Sequence, residues 1–324
     1  MKKIILTTAT AAFAIMMTAC GNAANTAATP AANNAADTVT AADASTAATS
    51  DAVTSSPSHD YSNITLDAII KANNLENLIK QYGRVACTST LTDENGKTTM
   101  ESSSIFYNGD NGMESQSHIT MNGSEYWYTQ KKAPSNPLAS YVYSDSNGYC
   151  LSPVSPDNAA ASLQNDFLIS DHSDEIFDSI VEQDGALILT THTTGENGVP
   201  CECYYFIEPG SLRLYSINYI RHIDDTRSAM LVRLYTYGDT VDTSKLKTKD
   251  VYSQLPAGNA PCRLTVAYIS DDGTSKNVVY NTTQGISVCC NNTAYTMYTD
   301  AGDASTAAEH VPLNSSEVTV YMKR

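Results

Sequence analysis

Between Arg84 and Gln130 the chain alternates inward and outward residues and breaks the alternation at glycine turns. Val85, Cys87, Ser89 and Leu91 interleave with Arg84, Ala86, Thr88 and Thr90, and Asp93-Glu94-Asn95-Gly96 ends the run. Met100 to Tyr107 returns, and Asn108-Gly109-Asp110-Asn111-Gly112 turns again. Met113 to Met121 follows, and Asn122-Gly123 leads into Ser124 to Gln130. A period of two belongs to strands buried on one face. Asn-Gly suits a tight hairpin, whose two central residues take positive φ. The segment therefore reads as an antiparallel meander, because parallel strands would need long crossovers that these turns do not provide.

The flanking segments extend that reading. Thr65 is placed to cap a helix, with Asp67 near its positive end and Leu66, Ile69 and Ile70 as an apolar stripe. Asn74 restarts it, Leu75, Leu78 and Ile79 turn inward, and Gly83 stops it. Residues 131–165 read as irregular, with a short strand at Tyr141–Tyr143. Ser173 is expected to cap a second helix that turns Ile176, Phe177 and Ile180 inward and stops at Gly185. Four strands follow at Ala186–Thr193, Cys201–Glu208, Leu212–Arg221 and Ser228–Tyr237, and 239–261 reads as a linker. The last unit, 262–324, is expected to be a small β-rich domain with strands at Arg263–Ser270, Lys276–Asn281, Ile286–Cys290, Tyr295–Tyr298 and Glu317–Met322. Helix, meander, helix, meander implies an α+β fold: a curved antiparallel sheet covered by helices over residues 61–254.

The first residues carry an address. Lys2 and Lys3 precede an uncharged stretch from Ile4 to Met17, closed by Thr18-Ala19-Cys20. That is the order of a secretory signal over residues 1–19, too short and too threonine-rich to span a bilayer. Met17-Thr18-Ala19-Cys20 resembles a bacterial lipobox, which implies cleavage before Cys20 and acylation of it with chains such as palmitate. Of the 40 residues from 21 to 60, 30 are Ala, Thr, Asn or Ser, too few apolar groups to offset ordering entropy. Residues 20–60 thus read as a tether holding the folded body at a membrane, outside the cytoplasm.

Removing Lys2 and Lys3 takes the formal net charge from −16 to −18, which argues against nucleic acid as a partner. Cys20 set aside, seven cysteines remain, an odd number whose pairing is not readable from spacing. Disulfides and small buried thiols both stay open, while C-x-C and C-C do not match a zinc finger or ribbon. Cys201 and Cys203 are expected on one strand face, and Cys289 and Cys290 on opposite faces.

Two resemblances are visible. An N-terminal helix ending at Gly83, hairpins throughout, DEIFDSIVEQDGALILTT and CYYFIEPGSLRLYSINY together resemble the LolA/LppX-type lipoprotein carriers. In them Ile207-Glu208-Pro209-Gly210-Ser211-Leu212 looks like a turn between neighbouring strands. This resemblance implies an open half-barrel plugged by helices, with an apolar cavity between sheet and helix. Tyr295-Thr296-Met297-Tyr298-Thr299-Asp300 and Val318-Thr319-Val320-Tyr321 resemble an internalin-type B-repeat (the Listeria–Bacteroides repeat).

If such a cavity exists, alternation puts Met113, Ile119 and Met121 on one strand face and Met100 and Phe106 on the matching face of the strand before. Methionines make an adaptable lining, and the alternative is that these residues are simply core. Tyr126, Trp127 and Tyr128 form the one aromatic cluster, which reads either as a core Trp127 with half-buried tyrosines or as exposed rings for stacking on sugars. The six histidines fit no H-E-x-x-H or G-x-S-x-G motif, and Ser170 to Glu175 reads as a helix start and not as a metal site. No catalytic residue, metal site or cofactor is implied. The expectation is a non-enzymatic, membrane-anchored protein that binds a lipid, lipoprotein or apolar peptide. The alternative is a surface adhesin or glycan-binding lipoprotein.

Overall fold

The computed structural model describes residues 61, 63–155, 159–168, 175–194, 200–224, 227–241, 243, 250–256, 258–290 and 295–324. The expected signal segment, Cys20 and the tether lie outside the described residues.

Two short helices lead, α1 at Leu66–Ala72 and α2 at Leu75–Tyr82. Their caps are the residues the sequence points to. Thr65 Oγ1 accepts from Ala68 N at 3.1 Å, and Asn74 Oδ1 accepts from Asn77 N at 3.1 Å. Gly83, at φ 78°, ends α2.

The first meander runs through β1 (Arg84–Thr92), β2 (Thr98–Gly109), β3 (Gly112–Met121), β4 (Ser124–Lys132), β5 (Leu138–Ser144) and β6 (Gly148–Pro153). Asn122 and Gly123, at φ 50° and 82°, make the tight turn between β3 and β4. Helix α3 (Ala159–Leu168) follows, then β7 (Ile176–Gln183), β8 (Ala186–Thr194), β9 (Pro200–Ile207), β10 (Leu214–His222) and β11 (Ser228–Tyr237). The C-terminal strands are β12 (Pro261–Ile269), β13 (Ser275–Thr283), β14 (Ser287–Cys289), β15 (Thr296–Tyr298), β16 (His310–Pro312) and β17 (Glu317–Lys323).

Among the described residues thirteen strands form one sheet, in the order β16-β14-β6-β5-β4-β3-β2-β1-β11-β10-β9-β8-β7. The two meanders join where β1 lies antiparallel to β11, with Val85 opposite Tyr237. Among the described residues β16 and β7 stay unjoined, and the curved sheet is an open half-barrel in an α+β fold. A second sheet, β13-β12-β17-β15, stacks on one end of the first. The C-terminal residues are not confined to that second sheet, since their β14 pairs in parallel with β6 of the main sheet and carries β16 beyond it.

Among the described residues, alternation divides the buried residues into two main cores and a small cluster of Ala86, Ile105 and Val241. On the concave face, Cys87, Met100, Phe106, Ile119, Tyr128, Leu189, Tyr205 and Leu231 pack under Ile69, Leu75, Leu78, Ile79, Leu163 and Phe167 of the helices. On the opposite face, Ala139, Tyr141 and Leu151 meet Leu264, Val266, Tyr280 and Val320 of the smaller sheet. The expected linker takes part: Val251 is fully buried, its N–H donates to Thr129 Oγ1 at 2.8 Å, and Tyr252 lies edge-on to Tyr141.

Two expectations fail. Residues 176–183 form strand β7, not a helix; Ile176 and Phe177 are 58% and 50% exposed instead of turned inward, while Ile180 is half-buried against the concave core, and the expected cap Ser173 lies outside the described residues. Asp184 and Gly185, at φ 52° and 78°, form a hairpin turn that pairs Val181 with Ile188, so Gly185 is a turn residue and not a helix stop. Ile, Phe, Ile and Val fit a strand at least as well as a helix, and the β8 ladder decided between them. The stretch 131–165 is also more regular than expected, holding β5, β6 and α3. The signal for α3 is Leu163 and Phe167, one helical turn apart in an otherwise small and polar segment.

Candidate functional site

Helix α3 decides what becomes of the concave face. Its polar residues dock it: Gln130 Nε2 donates to Ser162 Oγ at 2.7 Å, Gln164 Nε2 donates to Asn73 O at 3.1 Å, and Gln164 Oε1 accepts from Leu75 N at 2.6 Å. Its far end is held by β11, where buried Arg233 donates from Nη1 to Asp166 O at 2.5 Å and Phe167 O at 3.0 Å. Phe167 then enters the half-barrel, edge-on to Phe106 at 5.6 Å and to Tyr235 at 5.0 Å between ring centroids.

The residues singled out from sequence are placed as follows. Met100, Phe106, Ile119, Tyr126 and Tyr128 are buried in the concave core beneath the helices, and Met113 and Met121 pack on its margin half-exposed. Trp127 faces the other way. It stacks on His118 at 5.1 Å and meets Tyr143 at 5.8 Å, and Tyr143 meets Tyr149 at 4.8 Å. These four rings occupy facing positions on β3, β4, β5 and β6, so they form one row across the sheet. Alternation foresaw the split of Tyr126 and Tyr128 from Trp127; it carried no sign of the His118–Tyr143–Tyr149 row, which depends on register.

Where α3 stops short of the smaller sheet, a cleft of about 660 Å³ opens. Its apolar wall is Met113, Leu138, Val154, Leu163, Val278 and Val279, and Lys132, Lys276, Asn111 and Asn277 add polar groups. That volume lies within the roughly 300–1,000 Å³ of small-molecule sites. Strand β13 is fixed as its wall by buried Asn136. Asn136 Nδ2 donates to Asn281 O at 2.8 Å, and Asn136 Oδ1 accepts from Asn281 N at 2.8 Å. Tyr280 OH donates to Leu138 O at 3.2 Å across the same seam. Both lysines are exposed, and in a chain of net charge −16 two ammonium groups beside an apolar wall favour an anionic group there. Of the eight binding candidates read from sequence, Met113 is the one that lines this cleft. Leu163, Val278 and Val279 were not legible as neighbours, because α3 and β13 are more than a hundred residues apart and only tertiary packing joins them.

A second constellation lies at the β16 edge. Among the described residues none of the seven cysteines is in a disulfide, and six of them are buried. Cys201 and Cys203 share the buried face of β9, as alternation expects. Cys150 on β6, Cys289 on β14 and His310 on β16 bring their donor atoms within 4.8 Å of one another. A hydrogen bond with Cys289, reinforced by His310, holds the Cys150 thiol down to about 6. The same bond, with burial, pushes Cys289 up, and Cys150 raises His310.

No family model matches the chain, and no curated protein matches it. Forty chains of solved structure do match. LprF from Mycobacterium bovis is 10% identical, covers 55% of this chain and 96% of its own, and superposes with a TM-score of 0.30. The Mycobacterium tuberculosis lipoprotein LppX is also 10% identical, with 55% of this chain and 99% of its own covered and a TM-score of 0.30. A LolA superfamily protein from Nitrosomonas europaea is 12% identical, with 58% and 99% covered and a TM-score of 0.24.

Proposed function

We propose that this chain is an exported, lipid-anchored binding protein without enzymatic activity, which holds an apolar chain bearing an anionic head in the cleft between α3 and β13. The observation that carries the reading is the cleft itself, 660 Å³ with an apolar wall and two exposed lysines. An acyl chain laid on Met113, Leu163 and Val278 would leave water at about 0.8 kcal/mol per methylene, and its carboxylate or phosphate would meet Lys132 and Lys276. A lipid, the acylated end of a lipoprotein and an apolar acidic peptide share that chemistry.

The anchor at Cys20, the signal over residues 1–19 and the tether over 20–60 rest on the sequence pattern, and they put the cleft at the outer side of a bacterial membrane. Residues 61–254 are the carrier-like body. Residues 262–324 cover one end of it and supply the β13 wall. The B-repeat likeness of that unit rests on two strands that pair antiparallel, with Tyr298 opposite Tyr321.

The test is native mass spectrometry of the purified protein, with displacement of a fluorescent fatty acid. A co-purifying amphiphile, or saturable probe binding at one site per chain, supports the reading. An empty protein that binds neither probe nor lipid extract overturns it.

A second reading, glycan binding, has the aromatic row in its favour. Trp127, Tyr143 and Tyr149 are half-exposed and aligned, which suits stacking on successive sugar rings. Loss of binding to a glycan array in Trp127→Ala at unchanged stability would favour it, and a fall in melting temperature alone would assign Trp127 to packing.

A further inference from the structure

Strand β14 is short and its hold on the half-barrel is slight. It pairs with β6 at two positions, Ser287 with Cys150 and Val288 with Leu151, and with β16 at three. Cys289 stands directly opposite His310, and Cys150 lies on the same face one strand away. Three donor side chains from three adjacent strands therefore meet at one point, and that point is where the C-terminal unit grafts onto the main sheet.

We propose that Cys150, Cys289 and His310 form a zinc-binding site that clamps β14 and β16 to β6. The donor set is two sulfurs and one imidazole nitrogen, the soft and borderline ligands that zinc takes. The spacing fits. His310 Nδ1 lies 3.4 Å from Cys150 Sγ. Tetrahedral zinc, with bonds of about 2.3 Å to sulfur and 2.0 Å to nitrogen, would separate those two atoms by roughly 3.5 Å. Both sulfurs are almost fully buried and His310 is half-exposed, so the cluster is pre-arranged with one side open to an entering ion. Binding takes both sulfurs as thiolates and His310 as neutral imidazole, so any proton still on Cys150, Cys289 or His310 is released to solvent, and one position is left for water.

A disulfide would use the same sulfurs, but register opposes it. Cys289 stands two residues beyond Ser287, the partner of Cys150. That offset along a neighbouring strand separates the two Cα atoms by roughly 8 Å, beyond the usual disulfide span. Cys290 is no ligand, since its thiol donates to Tyr295 O at 3.5 Å.

The experiment titrates zinc alone into the purified protein, reduced with a phosphine, against a chromophoric chelator. It is repeated with Co²⁺, whose thiolate complexes show a near-ultraviolet charge-transfer band. The expected result is one ion per chain, a cobalt–thiolate band, and a melting temperature raised by zinc. Cys150→Ser and His310→Ala should each weaken zinc binding by at least about tenfold, while Cys290→Ser should not. Should Cys150→Ser fail to fold, the half-exposed His310→Ala at the sheet edge decides the question. The proposal is overturned if the reduced protein takes up no stoichiometric zinc, if His310→Ala binds it as tightly as the unaltered protein, or if Cys150 and Cys289 are isolated as a disulfide.

Discussion

The side-chain amide of Asn136 makes both hydrogen bonds of a strand-like bridge with the backbone of Asn281, each at 2.8 Å. One asparagine in the β4–β5 loop thereby does for β13 what a neighbouring strand would do, and it holds the wall of the cleft in place. Replacing it with alanine removes both partners at once. Asn136→Ala should lower stability by about 1–2 kcal/mol in urea unfolding and speed amide exchange along β13. Unchanged exchange there would mean that the wall is held by something else.

Arg233 is buried on β11 and caps α3. It donates to Asp166 O and Phe167 O from Nη1 and to Ser89 Oγ from Nε at 2.8 Å, while Tyr235 OH donates to Phe167 O at 3.0 Å. A cation at a helix C-terminus meets the negative end of the dipole and satisfies carbonyls that the helix leaves open. Arg233→Ala should cost about 3–5 kcal/mol, since it strips buried carbonyls of their partner. Arg233→Lys should recover only part, because an ammonium lacks the forked geometry. Chemical denaturation of the two variants checks both statements.

Binding in the cleft should respond to volume and to charge separately. Val279 is half-exposed on the β13 wall, so Val279→Trp fills space without disturbing a packed core. Fatty-acid probe affinity should fall at least about tenfold with little change in melting temperature. Lys132→Glu combined with Lys276→Glu should weaken an anionic probe more than its neutral alcohol analogue. Equal loss for both would show that the lysines do not read charge.

Strand β7 gives a test of the sequence–structure disagreement. As an exposed edge strand it should tolerate Ile176→Ser and Val181→Ser within about 0.5 kcal/mol each. A helix that buried Ile176 would lose about 2–5 kcal/mol on the first change. Thermal denaturation of the two single variants separates the cases.

The β meanders were legible because their signals are local. Alternation from Val85 to Leu91, the Asn122-Gly123 turn and the caps at Thr65, Asn74 and Gly83 each concern residues within a few positions of one another. Local sterics and nearest hydrogen bonds decide such elements. Ile176 to Gln183 was misread at the same level, because a short apolar run satisfies a helical and a strand period alike.

The cleft and the thiol–imidazole cluster were hidden for a different reason. Met113, Leu163 and Val278 belong to β3, α3 and β13, and Cys150, Cys289 and His310 to three strands paired over up to 160 residues of chain. From its sequence alone, this protein reads as a chain of antiparallel hairpins behind an expected export signal, since period and turn chemistry are short-range properties. That α3 plugs the half-barrel with Phe167, that β13 walls a cleft and that β14 brings Cys289 beside Cys150 was decided only in the tertiary structure. Register and packing between distant strands depend on which apolar faces can be buried together, and no stretch of neighbouring residues carries that information.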